Sequence, residues 1–228
     1  MFVSYLNLLT MKLSESKVIK ALNGFASFAL VLYIIILIVS VFNSGVPSAT
    51  KGIKWYTVFN VKAEKKVEKG TVSVDDSLNN WFNRGFLVSE TKMSSISLRF
   101  KSYSDLFSFS AIIFQLVYLC YFLCIGFLIL LIKRFFKSLT KDEVFTRKNV
   151  SIIIYSGVVL MLLPFLRWMT QELLINCINR LKLNDSGYDI SNGVGFFGTE
   201  TLIGLVLLAF GLAFKVGVDI KQENESFV

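Results

Sequence analysis

The sequence predicts a mainly α-helical integral membrane protein: a four-helix transmembrane bundle with a small extracytoplasmic β-containing insertion between the first and second spans. Two observations predict this. The 228-residue chain is 54% hydrophobic, and four long stretches carry no Lys, Arg, Asp or Glu in their cores. Basic clusters also sit where cytoplasmic helix ends fall. A hydrocarbon layer of roughly 30 Å needs about 20 apolar helical residues, because backbone amides must find partners inside their own segment where water is absent. Four such stretches in so short a chain exceed what the interior of a soluble domain calls for.

Residues 1–20 form a cytoplasmic N-terminal segment with Lys12, Lys17 and Lys20, and Met11 followed by Lys12 offers an alternative start to Met1. The first span covers 21–42, within an uncharged run from 21 to 50. Its apolar part exceeds the about 7–15 residues of a secretory signal, so it reads as a signal-anchor. The second span, 106–132, is uncharged until Lys133 and Arg134 stop it. The third, 150–168, ends near Arg167 and Trp168, where a long basic side chain reaches the interface. Pro164 within it predicts a kink. The fourth, 196–218, has Glu200 near one end and Lys215 near the other, and it requires both charges to reach headgroup water. Its Ala209, Ala213 and Gly217, at four-residue spacing with Gly204 and Gly211 nearby, predict close packing, within the bundle or in a homo-oligomer.

Orientation follows from the short flanks, because Lys and Arg are retained on the cytoplasmic side. The loop 133–149 carries Lys133, Arg134, Lys137, Lys141, Arg147 and Lys148 against Asp142 and Glu143. It is therefore read as cytoplasmic, and with four spans both termini share that side, the 219–228 tail included. The loop 169–195 sets Asp185 and Asp189 against Arg180 and Lys182, without basic excess, and is read as extracytoplasmic. The insertion 43–105 holds ten basic and six acidic residues, yet loops of this length translocate largely regardless of charge. The net charge of +8 is thus partly a topology signal and partly spread along this insertion, without a dense basic block, and direct nucleic-acid binding is not expected.

Within the insertion, residues 54–67 and 94–103 mix β-branched and aromatic residues in strand-like patterns, residues 71–74 add a short strand, and Lys69-Gly70 reads as a turn. Trp55, Tyr56, Trp81 and Phe82 lie near basic residues and admit a ligand-binding reading; a small core or an interfacial belt accounts for them more simply. Asn184, Asp185 and Asp189 lack the spacing of a calcium loop and read as a solvated turn.

The chain contains no histidine, which removes the commonest proton shuttle and metal ligand and leaves no Ser-His or Cys-His pair. A non-enzymatic protein without cofactor or metal is the expectation. Cys120 and Cys124 share a helix face, but two soft ligands do not make a zinc site; they and Cys177 read as packing residues. Gln115, Arg167 and Glu200 are the candidate polar positions in or near the bilayer. Gln115 could bridge helices, and Arg167 and Glu200 could pair near the outer ends of their spans. In an alternative reading all three line a path in a transporter or channel component. In the inner loop, Thr140 or Asp142 could cap a short helix, and Thr146 or Asn149 could be the N-cap of the third span. Lys133, Arg134, Phe135 and Phe136 form a basic-aromatic patch suited to anionic lipid.

Two stretches together resemble a known family. KDEVFTRKNVSIIIYSG (141–157) and FKVGVDIKQENESFV (214–228) are similar to paired signatures of the bacterial four-span membrane family catalogued as domain of unknown function 2975. The matching positions are Phe145, Thr146, Asn149, Gly157, Gly217, Ile220, Glu223, Glu225 and Val228. Val144 stands where the family often has Pro, and Ser226-Phe227 where Leu-Thr is usual. The similarity covers roughly residues 20–228, with little from the insertion. It implies a bacterial inner-membrane location. Members often encoded beside small helix-turn-helix regulators imply a sensing, regulatory or accessory role with a cytoplasmic protein partner. The basic inner loop and the acidic tail then suggest docking of the two signatures on one another, with Phe145, Thr146, Asn149, Glu223 and Glu225 as the candidate docking residues.

Overall fold

The computed structural model describes residues 13–42, 55–67, 70–73, 93–100, 102–181 and 188–226. The expectations placed on Met1, Met11, Lys69, Trp81, Phe82, Asn184, Asp185, Phe227 and Val228 lie outside the described residues, as do those on the side chains of Trp55, Tyr56, Asp189 and Glu225.

A 3-10 turn at Leu13–Glu15 precedes helix α1 (Lys17–Phe42). Strands β1 (Trp55–Val67), β2 (Gly70–Ser73) and β3 (Met93–Arg99) follow, then the one-turn α2 (Tyr103–Leu106). The remainder comprises α3 (Phe109–Leu139), α4 (Arg147–Arg180), β4 (Tyr188–Asn192) and α5 (Thr199–Ser226). The fold is mainly helical, and α1, α3, α4 and α5 are each long and apolar enough to cross a bilayer. Only 6% of the apolar windows of α1 and α3 is buried against 44% of that of α4, so α4 is the most enclosed helix. Phe28, Leu123 and Phe210 stand 64%, 57% and 66% exposed. Apolar surface presented this densely requires lipid around it, which makes the chain a multi-pass membrane protein.

Each long helix overruns the span predicted for it, α1 by beginning at Lys17. α3 continues through its basic residues to Leu139, α4 runs past Trp168 to Arg180, and the tail after Val218 is helical to Ser226. Hydropathy marks where lipid ends, whereas a helix ends where its backbone partners run out. α4 also remains one helix across the buried Pro164.

The chain divides into two compact units. The first combines α1 with residues 122–164 and 197–228. Here α4 and α5 meet through glycines: a Cβ built on Gly157 would lie 2.8 Å from the Gly204 carbonyl oxygen, and one on Gly204 would lie 2.7 Å from that of Gly157. Gly211 sits equally close to Ile154. Ala209, Ala213 and Gly217 are exposed in the single chain, and nothing lies within 4 Å of a Cβ at Gly217, so the close packing of α5 within the bundle runs through Gly204 and Gly211. α1 crosses α3 where the Tyr33 ring covers Gly126, and the Tyr33 hydroxyl donates to the Phe122 carbonyl, a polar clasp in an apolar layer.

The second unit contains residues 40–121 and 165–196. β1 is antiparallel to β3 from Trp55↔Arg99 to Val61↔Met93, and to β2 from Glu64↔Ser73 to Val67↔Gly70. It also pairs with β4 from Val61↔Asn192 to Lys65↔Tyr188. Because β2 and β4 both pair with Glu64 and Lys65, they flank opposite edges of β1, and β4 extends the β3 edge. The segment between α4 and α5, read from the sequence as a loop, contributes the strand β4. The core of this unit joins Phe100, Leu106, Ala111 and Phe114 to Leu174, Cys177 and Ile178 of α4. The spacing of Leu174, Cys177, Ile178 and Leu181 is one helix face, which is why α4 stays helical beyond the predicted span.

Candidate functional site

The polar structure of the first unit concentrates in the loop between α3 and α4. α3 stops in a Schellman turn: the Glu143 N–H donates to Ser138 O at 3.2 Å and the Asp142 N–H to Leu139 O at 3.2 Å. Asp142 occupies the left-handed position with φ 60°, a conformation that Asp tolerates better than most residues. Its Oδ1 accepts the backbone N–H of Ser14 at 2.8 Å, so the loop also holds the segment before α1. Asp142 thus terminates α3, rather than capping a short helix of its own, and Thr140 turns its hydroxyl back to Lys137 O at 2.8 Å.

α4 begins at a threonine cap. The Thr146 hydroxyl accepts the Asn149 N–H at 3.3 Å, and the Thr146 carbonyl takes the first helical bond from Val150 at 3.1 Å. Of the two N-cap candidates, Thr146 is the cap and Asn149 is the third helical residue. Asn149 is fully buried, and its amide donates to the Glu143 and Val144 carbonyls, the latter at 3.0 Å. Ser138, also buried, donates to the same Glu143 carbonyl at 2.9 Å from the α3 side. Side chains from both helices therefore fasten the loop through its backbone.

The loop is tied to α5 as well. Phe145 stacks on Phe214 with ring centroids 4.9 Å apart and planes 21° apart, and Arg147 lies 3.7 Å from Asp219. The ion pair is exposed and contributes on the order of 0–1 kcal/mol, so the aromatic contact and the buried backbone bonds dominate. Arg147, Val150, Ile154, Lys215, Val218 and Asp219 border a cleft of about 470 Å³ beside this junction. The expected docking of loop on tail ran through Glu223 and Glu225. Phe214 and Asp219, earlier on α5, make the stack and the ion pair with the loop, and Glu223 lies exposed one turn beyond them. Asp219 lies four residues after Lys215, within reach of the first turn of α4, and no sequence motif singles it out.

Of the polar positions proposed within the bilayer, Gln115 and Arg167 belong to the second unit and Glu200 to the first. Gln115 donates to Leu106 O at 2.8 Å, tying α3 to the one-turn α2 that precedes it. Arg167 is half-buried on α4 in the second unit, and Glu200 is half-buried in the first turn of α5, in the first unit. Cys177 is buried in the second unit, where the Ser110 hydroxyl donates to its Sγ at 3.5 Å; Cys120 is exposed and Cys124 half-buried. Among the described residues no group of three or more Cys, Asp or Glu side chains could hold a metal.

With this geometry in hand, comparison with known proteins gives one family. Residues 94–228 match the family described as "Protein of unknown function (DUF2975)". The chain belongs to this family. The DUF2975 match begins at β3 and takes in α3, α4, β4 and α5, with the fastened loop near its centre; α1, β1 and β2 precede it, so it starts later than the sequence motifs suggested. No curated protein and no solved structure matches the chain.

Proposed function

We propose that this DUF2975 protein is a non-enzymatic sensing or regulatory component of the bacterial cytoplasmic membrane. Its termini and the α3–α4 loop face the cytoplasm, its sheet faces the outside, and the junction of loop with α5 docks a cytoplasmic protein. The observation that carries this reading is the junction: Phe145 with Phe214 and Arg147 with Asp219 form a polar and aromatic surface, and the cap Thr146 and the buried Asn149, on the same motif as Phe145, hold the loop in place beneath it. The basic residues from Lys133 to Lys148 support the cytoplasmic assignment. Pairing of β1 with β4 supports a common side for the two segments that carry those strands.

The test is co-purification from solubilised membranes of the native host, comparing the full chain with Phe145→Ala/Asp219→Lys and with a chain truncated before Glu223. A partner retained by the full chain and lost from the double variant is expected. An identical protein profile in all three preparations would overturn the proposal, as would labelling from the cell exterior of a tag placed within 133–149.

A further inference from the structure

A second cleft of about 480 Å³ lies on the α3 side of the loop, lined by Arg134, Lys137, Ser138, Lys141, Glu143 and Lys148. Four cations there face a single carboxylate. Among the described residues none of the four is in an ion pair, although like charges in a shared concavity repel one another and raise the local potential for an anion. The four come from three places: Arg134 and Lys137 from the end of α3, Lys141 from the Schellman turn, and Lys148 from the first turn of α4. Lys137 and Lys141, four residues apart, share a face at the end of α3, and the left-handed Asp142 reverses the chain beyond them and so returns Lys148 toward them.

Their depth is informative. The apolar surface of α3 ends at Ile132, which is 41% exposed. At about 1.5 Å per residue, Arg134 and Lys137 stand roughly 3 and 7.5 Å beyond it along the axis. Headgroups occupy roughly 5–7 Å on each side of a bilayer, the difference between its hydrocarbon and total thickness. Lys148 precedes the charge-free start of α4 at Val150 by a similarly short rise. The cleft therefore sits at the level of lipid phosphates, and the amide end of α4 adds its partial positive charge to the four side chains.

We infer that this cleft binds the phosphate of an anionic phospholipid headgroup. Arg134 supplies a planar fork for two phosphate oxygens, and Lys137, Lys141 and Lys148 act as point charges around them. A zwitterionic headgroup brings its own ammonium into the same cleft and is disfavoured. The site is distinct from the α5 junction and does not depend on a protein docking there.

The experiment uses the full chain in a neutral detergent, titrated separately with phosphatidylglycerol, phosphatidylcholine and inorganic phosphate, with bound lipid counted by native mass spectrometry. Phosphatidylglycerol should bind at least about tenfold tighter than phosphatidylcholine. Lys137→Gln/Lys141→Gln should weaken phosphatidylglycerol binding roughly 30-fold, from about 1 kcal/mol per lysine at the membrane surface, and leave phosphatidylcholine unchanged. Lys137→Arg/Lys141→Arg should restore it, and Lys221→Gln, elsewhere on α5, should leave it as in the unaltered chain. An undiminished preference in the double Gln variant would overturn the site. Inorganic phosphate binding as tightly as phosphatidylglycerol would overturn the lipid assignment.

Discussion

Gly204→Ala tests how α4 and α5 meet. The added Cβ would stand 2.7 Å from the Gly157 carbonyl oxygen, 2.7 Å from Met161 Cγ and 2.9 Å from the Met161 backbone nitrogen. Ordinary contact begins at 3.4 Å, so the helices must separate by roughly 0.7 Å, and two of the three atoms are backbone that cannot rotate aside. A gap of about that size forfeits roughly a quarter to a half of each dispersion contact along the crossing. Overpacking of this kind costs about 1–3 kcal/mol, offset by about 0.5–1 kcal/mol from the better helix propensity of Ala. A net loss near 1–2 kcal/mol is expected. Gly217→Ala, in the same helix, meets nothing within 4 Å and should show only the gain of about 0.5–1 kcal/mol. Two identical substitutions in α5 should therefore differ by about 2 kcal/mol. Unfolding of the purified protein in mixed micelles by added dodecyl sulfate, followed by far-ultraviolet circular dichroism, measures the difference. Equal midpoints for the two variants would refute a backbone-to-backbone crossing at Gly157 and Gly204.

Three further outcomes follow from the loop. Asn149→Ala removes two hydrogen bonds, but the Glu143 carbonyl keeps Ser138 and the Val144 carbonyl keeps the Thr146 N–H, so a loss of about 1–3 kcal/mol is expected in the same micelle assay. Asn149→Asp should cost more, because a buried carboxylate would face two carbonyl oxygens. Thr146→Ala should cost about 1 kcal/mol and Thr146→Ser only a few tenths, since Ser keeps the capping oxygen; equal losses would argue against a cap. A double-mutant cycle of Phe145→Ala and Phe214→Ala should give a coupling of about 0.5–1.5 kcal/mol, and a coupling near zero would remove the stack as a tie between loop and α5.

The four spans were legible because charge is excluded from lipid whatever the tertiary structure, and that rule acts residue by residue. The ends of the helices were not, because their continuation depends on partners distant in sequence. Residues 169–180 fell within the loop 169–195, yet Leu174, Cys177 and Ile178 find Phe100, Leu106 and Phe114 and keep the backbone helical. Phe145 and Thr146 stood out as a motif, but the role of Asn149 as donor to two carbonyls was hidden, since an Asn at a helix start reads equally well as an acceptor cap. Asp219 was not singled out for a similar reason: it lies beside the buried Val218 and meets Arg147 from a distant helix, whereas Glu223 and Glu225 are the conspicuous acids of the tail. The glycine crossing was partly readable: small residues in α5 signalled close approach, whereas which of its faces carried the contact depended on Gly157 of α4.

At 34 residues and about 51 Å, α4 is far longer than a bilayer requires, and it supplies residues 147–164 to one compact unit and 165–180 to the other, with Pro164 at the division. α3 is shared in the same way, between Tyr121 and Phe122. Each unit therefore draws part of its interior from the same helix. Loosening the cluster around Cys177 should strip the second unit of the stretch of α4 that closes its core, and residues 165–180 should fray first, since their polar members give that stretch little reason to stay helical without the cluster.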